Sequence, residues 1–279
     1  MNLSVTGTRI VRPSVVAGMF YPSDPVQLRE QIQAMLQNVE IQKVDGRVTG
    51  IIAPHAGYMF SGSTAAYAYS QLRGETYETV VIITPSHKDF FRTVSVYSGD
   101  AYETPLGVIE VNTRLRDKLI AQYEFIRASE QGHRAEHALE VQLPFLQTVL
   151  SSFTLLPLVI GDQEPDICFK LGEALASVLR NENALIVAST DLSHFYSSDV
   201  ADTLDEVLMN DVNAFDCESL MSDLETQRTE ACGGGPTVAA MSALKHLGVQ
   251  RMKVLHHSNS GAITGDYSSV VGYLSAVAY

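Results

Sequence analysis

Three histidines and one cysteine stand where an α/β protein would place a metal site. His55 follows the apolar run Gly50-Ile51-Ile52, within Ala53-Pro54-His55-Ala56-Gly57-Tyr58. His87 follows Val80-Val81-Ile82-Ile83, within Thr84-Pro85-Ser86-His87. His194 follows Leu185-Ile186-Val187, within Ser189-Thr190-Asp191-Leu192-Ser193-His194. Cys232 precedes Gly233-Gly234-Gly235-Pro236, which reads as the start of a helix. In open α/β sheets, sites form in the crevice at the carboxyl ends of the strands. A single His after a strand is more often a capping or hydrogen-bonding residue than a ligand. It is the recurrence of one pattern at three strand ends that argues for a shared site.

The imidazoles of His55 and His87 with the thiolate of Cys232 would make a three-ligand site with room for water or substrate. Such donors suit Fe(II), copper or zinc. A helix start favours the thiolate form, which singles out Cys232 from Cys168 and Cys217. Asp191 and His194, three apart after a strand, could manage protons, with Asp191 orienting His194. The competing use of Asp191 is as a helix cap. His137 and Glu140, one turn apart, could face the same pocket, although a satisfied, partly buried histidine is the reading preferred there. His256 and His257 are read as structural.

The elements that would carry these residues alternate. Short β-branched runs at Ile51–Ile52, Val80–Thr84, Leu155–Ile160, Ala184–Ala188, Met252–His256 and Ser269–Leu274 read as buried strands. Helical spacing is expected from about Leu28 to Val39, capped by Ser23 or Asp24 with Pro25 in the first turn, and over Ser61–Leu72, Thr113–Gln122, Ala135–Leu150, Asp166–Arg180 and Pro236–His246. Two more helices fill 199–226. Residues 88–111 alternate like a hairpin excursion turning at Pro105-Leu106-Gly107. This order predicts one α/β domain over residues 1–279, with a largely parallel sheet flanked by helices.

The 279 residues are 46% hydrophobic and 18% charged, enough to bury a large core. Net charge is −13, so nucleic acid and anionic membranes are poor partners. Three separated cysteines give no disulfide framework, which suits a reducing cytoplasm. Nothing at the N-terminus reads as a signal peptide, and no apolar run approaches a membrane span. The dinucleotide, phosphate-loop and nucleophile-elbow signatures are absent, as are Cys-x-x-Cys and His-Glu-x-x-His.

As a set, several motifs resemble the Memo-like family. They are Arg12-Pro13 with Ala17-Gly18-Met19-Phe20-Tyr21-Pro22, Ala53 to Tyr58, Pro85-Ser86-His87, Glu136 to Phe145, Ser189 to His194 and Cys232-Gly233. The resemblance runs from about residue 10 to the end. That family is similar to the LigB-type extradiol dioxygenases, which are non-haem iron enzymes, and implies one α/β domain around a mixed sheet. By resemblance His55 and His87 take the two His positions of the iron site, Cys232 stands where the carboxylate would be, and His194 stands near the catalytic base. A thiolate in place of a carboxylate is softer and oxidisable, and works against ring cleavage.

The implied function is a cytoplasmic metal-binding protein, using Fe(II) or alternatively copper or zinc, with redox activity on an unknown small molecule or peptide. The alternatives are a non-catalytic peptide-binding protein on a vestigial dioxygenase fold and a metal-assisted hydrolase. The family association also implies AMMECR-type and radical SAM protein partners.

Overall fold

Alternate residues of the central strands enter two different cores, and that alternation builds the molecule in three layers. Ile52, Val81, Ile83, Leu156, Leu158, Ile186 and Ala188 face one core. Ile51, Ala53, Val80, Ile82, Leu155, Leu185 and Val187 face the other. A strand buried on both faces must be apolar throughout, which is why these segments read as continuous runs. The first core is covered by helices Thr113–Gln122, Pro165–Leu179, Ser198–Ala214, Cys217–Glu225 and Gly234–His246. The second is covered by Pro25–Gln37, Tyr58–Ser70 and Leu143–Val149. The computed structural model describes residues 9–40 and 43–279, so the first eight residues of the expected domain lie outside the described residues.

The strands are β1 (Val11–Arg12), β2 (Gly50–Ala53), β3 (Thr79–Pro85), β4 (Val94–Tyr97), β5 (Ala101–Thr104), β6 (Gly107–Glu110), β7 (Ile126–Ser129), β8 (Thr154–Ile160), β9 (Ala184–Ser189), β10 (His194–Tyr196), β11 (Met252–Asn259) and β12 (Val270–Ala278). The main sheet has the order β10-β12-β2-β9-β3-β8-β4-β7, with β11 also on β12; β1, β5 and β6 form a small second sheet. The centre, β2-β9-β3-β8, is parallel. The flanks are antiparallel where β12 meets β2 and where β4 meets β8. The sheet is therefore mixed, with the parallel character concentrated where the site lies.

Some expected elements keep their bounds and others shift, in each case for a physical reason. Thr113–Gln122 is a helix with the expected limits, its start capped by the Asn112 side chain on Leu115 N–H at 3.0 Å. Asp24 caps the first helix through Val26 and Gln27. The hairpin is β5–β6, with Thr104 opposite Gly107. Val94–Tyr97 leaves the hairpin and pairs with β8 in the main sheet. No continuous helix runs from Ala135 to Leu150. Instead the chain is irregular to Leu139, makes a short 3₁₀ turn at Glu140–Gln142, and becomes α-helical from Leu143, with Pro144 in its first turn. The cause is Glu136, whose carboxylate accepts the backbone N–H groups of His137 and Ala138 and so curls the chain around itself.

Candidate metal centre

Four parallel strands end side by side, and their following loops carry the site. His55 comes two residues after β2, His87 two residues after β3, and Asp191 two residues after β9. His137 reaches the same point from the irregular segment ahead of Leu143. One ring nitrogen each from His55, His87 and His137 lies within 4.8 Å of the others. The ring centroids are 5.1 Å apart for His55 and His87, 5.5 Å for His55 and His137, and 4.8 Å for His87 and His137. Phe20 closes one side, its ring 4.8 Å from that of His137.

The hydrogen bonds behind the rings decide which nitrogens are free. His55 Nδ1 lies 2.9 Å from Ser189 Oγ. That hydroxyl has one proton, which it donates to the Ala138 carbonyl at 2.9 Å, and it already accepts from Gln142 Nε2 at 2.7 Å. His55 Nδ1 is therefore the donor, and the lone pair sits on Nε2. His87 Nδ1 donates to Glu136 Oε1 at 2.9 Å, and His137 Nδ1 is 3.2 Å from the same oxygen. Burial works to raise the Glu136 carboxyl, but the His87 hydrogen bond and charge and two backbone N–H groups outweigh it and bring it down to about 2. Glu136 is thus a carboxylate that orients the His87 imidazole and, through the His137 backbone N–H, holds the chain beside it. Burial, reinforced by the neighbouring His87, lowers His55 to about 3; burial and His55 lower His137 to about 4. Both rings are neutral near pH 7, the form that binds metal.

Cys232 stands beside this trio. Its Sγ is 3.2 Å from His55 Nε2 and 3.6 Å from the Asp191 carbonyl, and it accepts the Asp191 N–H at 3.3 Å. The helix-start argument predicts a thiolate, and the structure corrects this for the metal-free protein. Burial pushes the thiol strongly up, and the Asp191 carboxylate adds to it. The helix N–H groups that would favour the anion are engaged elsewhere: Gly233 on Thr190 Oγ1, Gly234 on the Ala231 carbonyl and Gly235 on Gln163 Oε1. The turn must be glycine at 233, since a Cβ there would lie 2.2 Å from the Ser189 carbonyl.

Asp191 caps no helix, and no hydrogen bond or ion pair joins it to His194, although the His194 ring is near enough to act on its charge. Its carboxylate accepts the His55 backbone N–H at 2.8 Å, and burial raises its pKa against that bond. His194 opens β10 at the rim, where its backbone N–H donates to Glu230 at 3.2 Å and its Nδ1 is 3.9 Å from the same oxygen. Glu140 leaves the pocket altogether: it is fully buried against Arg12 at 2.6 Å and also accepts from Val15, Val16 and Tyr21. His256 stacks on Tyr67 at 4.2 Å and His257 pairs with Asp205 at 2.8 Å, both outside the trio. Sequence reasoning undervalued His137 and gave Glu136, Ser189 and Gln142 no role. The adjacency of Glu136 to His137 was the one readable signal; nothing in sequence brings Ser189 to His55.

Fold and site together define a single-domain α/β protein with a metal-capable imidazole cluster at the carboxyl ends of its parallel strands. The chain belongs to the Memo-like protein family, whose profile matches residues 12–277. It is 35% identical to a MEMO1 family protein of Nitrosopumilus maritimus, covering 95% of this chain and 98% of that one. It is 38% identical to a MEMO1 family protein of Aquifex aeolicus, covering 96% and 98%. Among solved structures, an uncharacterized protein of Escherichia coli K12 is similar with a TM-score of 0.51 and 16% identity, over 82% of this chain and 99% of that one. At that identity the likeness speaks to fold alone. Among the described residues no helix is long and apolar enough to cross a membrane.

Proposed function

We propose that this protein binds a metal ion in the pocket, Fe(II) ahead of copper or zinc, and serves as a cytoplasmic oxidoreductase acting on a small molecule. His55, His87 and His137 supply imidazole nitrogens, and Cys232 supplies a thiolate once its proton is lost. The observation that carries the reading is that one ring nitrogen from each of the three imidazoles lies within 4.8 Å of the others, with Nδ1 of His55 and of His87 hydrogen-bonded to oxygens so that their Nε2 lone pairs turn away from those bonds, that of His55 toward Cys232 Sγ. Such backing is how metal-binding histidines are held in one tautomer. Mixed nitrogen and sulfur donors favour borderline and soft ions over magnesium or calcium. A bound ion would supply Lewis-acid and one-electron chemistry. Asp191 would hold the His55 backbone in place, and His194, part-exposed at the rim, would move a proton to or from the substrate.

The test is anaerobic loading with Fe(II), Cu(I) and Zn(II), followed by metal analysis and titration. His55→Ala, His87→Ala and His137→Ala should each weaken binding at least tenfold, or about 1.4 kcal/mol. Cys168→Ser and Cys217→Ser should leave it unchanged. Failure to hold any of the three ions would end the metal reading.

A second reading has one observation in its favour. Phe195 is 77% exposed beside His194, with its backbone in the left-handed region at φ 66°. Bulky residues rarely adopt that conformation, and such strain clusters at functional sites. A non-catalytic pocket that captures a peptide side chain would use that ring. Peptide binding that persists in the His55→Ala and His87→Ala variants would favour it.

A further inference from the structure

Three of the four parallel strands hand their following loop to residues already discussed. The fourth is β8, followed by Gly161, Asp162 and Gln163. The Gln163 side chain lies against the Cys232 turn. Its Nε2 donates to the Cys232 carbonyl at 2.8 Å, and its Oε1 accepts the Gly235 N–H at 2.7 Å. One carboxamide therefore ties both ends of the turn Cys232–Gly235. The opposite side is clasped by the extension of β9: Gly233 N–H donates to Thr190 Oγ1 at 2.9 Å, and Cys232 N–H to the Asp191 carbonyl at 3.2 Å. A Cβ at Gly235 would come within 2.8 Å of Cys168 Sγ and of Gln163 Cβ, so turn and side chain are in close contact.

We propose that Gln163 is the positioning residue for the thiol of the metal pocket, its carboxamide fixing the turn so that Cys232 Sγ faces His55 Nε2. This rests on the reading of Cys232 as a donor of that pocket. The turn presents a carbonyl and an N–H, and one side chain must satisfy both. A carboxamide carries a donor and an acceptor side by side on one planar group, and Asn, the other residue with one, is a methylene short. Glu offers acceptors alone, and Ala offers neither. Gln163 also walls a cavity of about 540 Å³, lined further by Tyr196, Glu230 and Gly234. Water from that cavity can reach the groups freed by substitution, so the expected effect is displacement of the turn rather than collapse.

Gln163→Glu separates positioning from folding. Its carboxylate still accepts from Gly235 at a helix start, where negative charge is favoured, but it sets an acceptor against the Cys232 carbonyl. Gln163→Ala removes both bonds. Two measurements are made on each full-length protein: the rate of iodoacetamide labelling at each cysteine of the metal-free form, and the sulfur-to-cobalt charge-transfer absorption of the Co(II)-loaded form. We expect Cys232 labelling to accelerate at least about tenfold in both variants, equivalent to about 1.4 kcal/mol of local opening. Cys168 and Cys217 should label at the wild-type rate, Gln163→Glu should stay folded with its melting midpoint lowered by only about 2–4 °C, and the charge-transfer band should weaken or shift. Unchanged Cys232 labelling and an unchanged band would overturn the proposal, and so would equal acceleration at all three cysteines. A wild-type protein that binds Co(II) with no charge-transfer band would refute Cys232 as a donor, while the labelling rates would still decide whether Gln163 holds the turn.

Discussion

At the residue scale the site turns on where two kinds of proton sit. His55 and His137 are already neutral at physiological pH, because burial takes them to about 3 and about 4. Cys232 is the reverse case, protonated because a thiolate there would be buried beside Asp191. Proton release on metal binding therefore identifies the sulfur. Between pH 6.5 and 8, wild-type protein should release one more proton per metal than Cys232→Ser. Its affinity should climb with pH about tenfold per unit more steeply than that of the variant, as expected for loss of a single proton. Calorimetry in buffers of different ionisation enthalpy reads the count. Identical proton release by the two proteins would remove Cys232 from the coordination sphere. Positions 55, 87, 191 and 194 stood out by their places after strands, and position 232 by its place ahead of a helix. The tautomers were not legible, since they depend on a serine, a glutamate and a glutamine brought in from elsewhere in the chain.

At the element scale the segment before the first helix matters more than its length suggests. Arg12 is buried and donates to the carbonyls of His133 and Glu136, both at 2.6 Å, as well as to Glu140. It thereby fastens the irregular stretch that delivers Glu136 and His137, while Phe20 of the same segment packs on His137. Arg12→Ala leaves Glu140 as an uncompensated buried charge, a change that typically costs about 3–5 kcal/mol. Arg12→Met with Glu140→Gln should recover part of that stability, since the amide oxygen still accepts from Val15, Val16 and Tyr21, but not the hold on Glu136. Denaturant titration should thus rank the single variant below the double one, with metal affinity reduced in both. Full affinity in the double variant would show that the segment does not position His137. The expected helix from Ala135 failed because helical periodicity records the apolar stripe, Leu139, Leu143 and Leu146, and is blind to the carboxylate that bends the chain ahead of it.

At the scale of the whole molecule, the buried imidazoles link stability to pH. His133, like His55, is lowered to about 3, chiefly by burial. A histidine whose folded pKa lies below its unfolded value near 6.5 contributes stability that is complete above 6.5 and is lost as pH falls toward the folded value. With His55, His133 and His137 all shifted this way, unfolding should take up close to three protons around pH 5. The free energy of unfolding should then fall by about 1.4 kcal/mol per proton for each pH unit below 6.5. Urea titrations at pH 7, 6 and 5 test this; equal stability at all three would contradict the burial of these rings. Glu136, held at about 2, adds a further loss only below the ordinary carboxylate range.

The sequence by itself determined that this is an α/β protein with its candidate site at the strand ends. Doubly buried strands must be apolar throughout, helices must repeat their apolar face, and polar residues just beyond a parallel strand fall at one edge of the sheet. Those are local rules, readable in a window of ten residues. Tertiary structure alone decided that β12 runs antiparallel beside β2, since strand direction leaves no mark on composition. It alone put Glu140 with Arg12, 128 positions away, rather than in the pocket. It alone turned His137 toward His55 and His87, and closed the Cys232 turn with Gln163, 69 positions away. Each of these depends on which distant atoms fill a buried polar group's remaining hydrogen bonds, and that is settled only when the chain is packed.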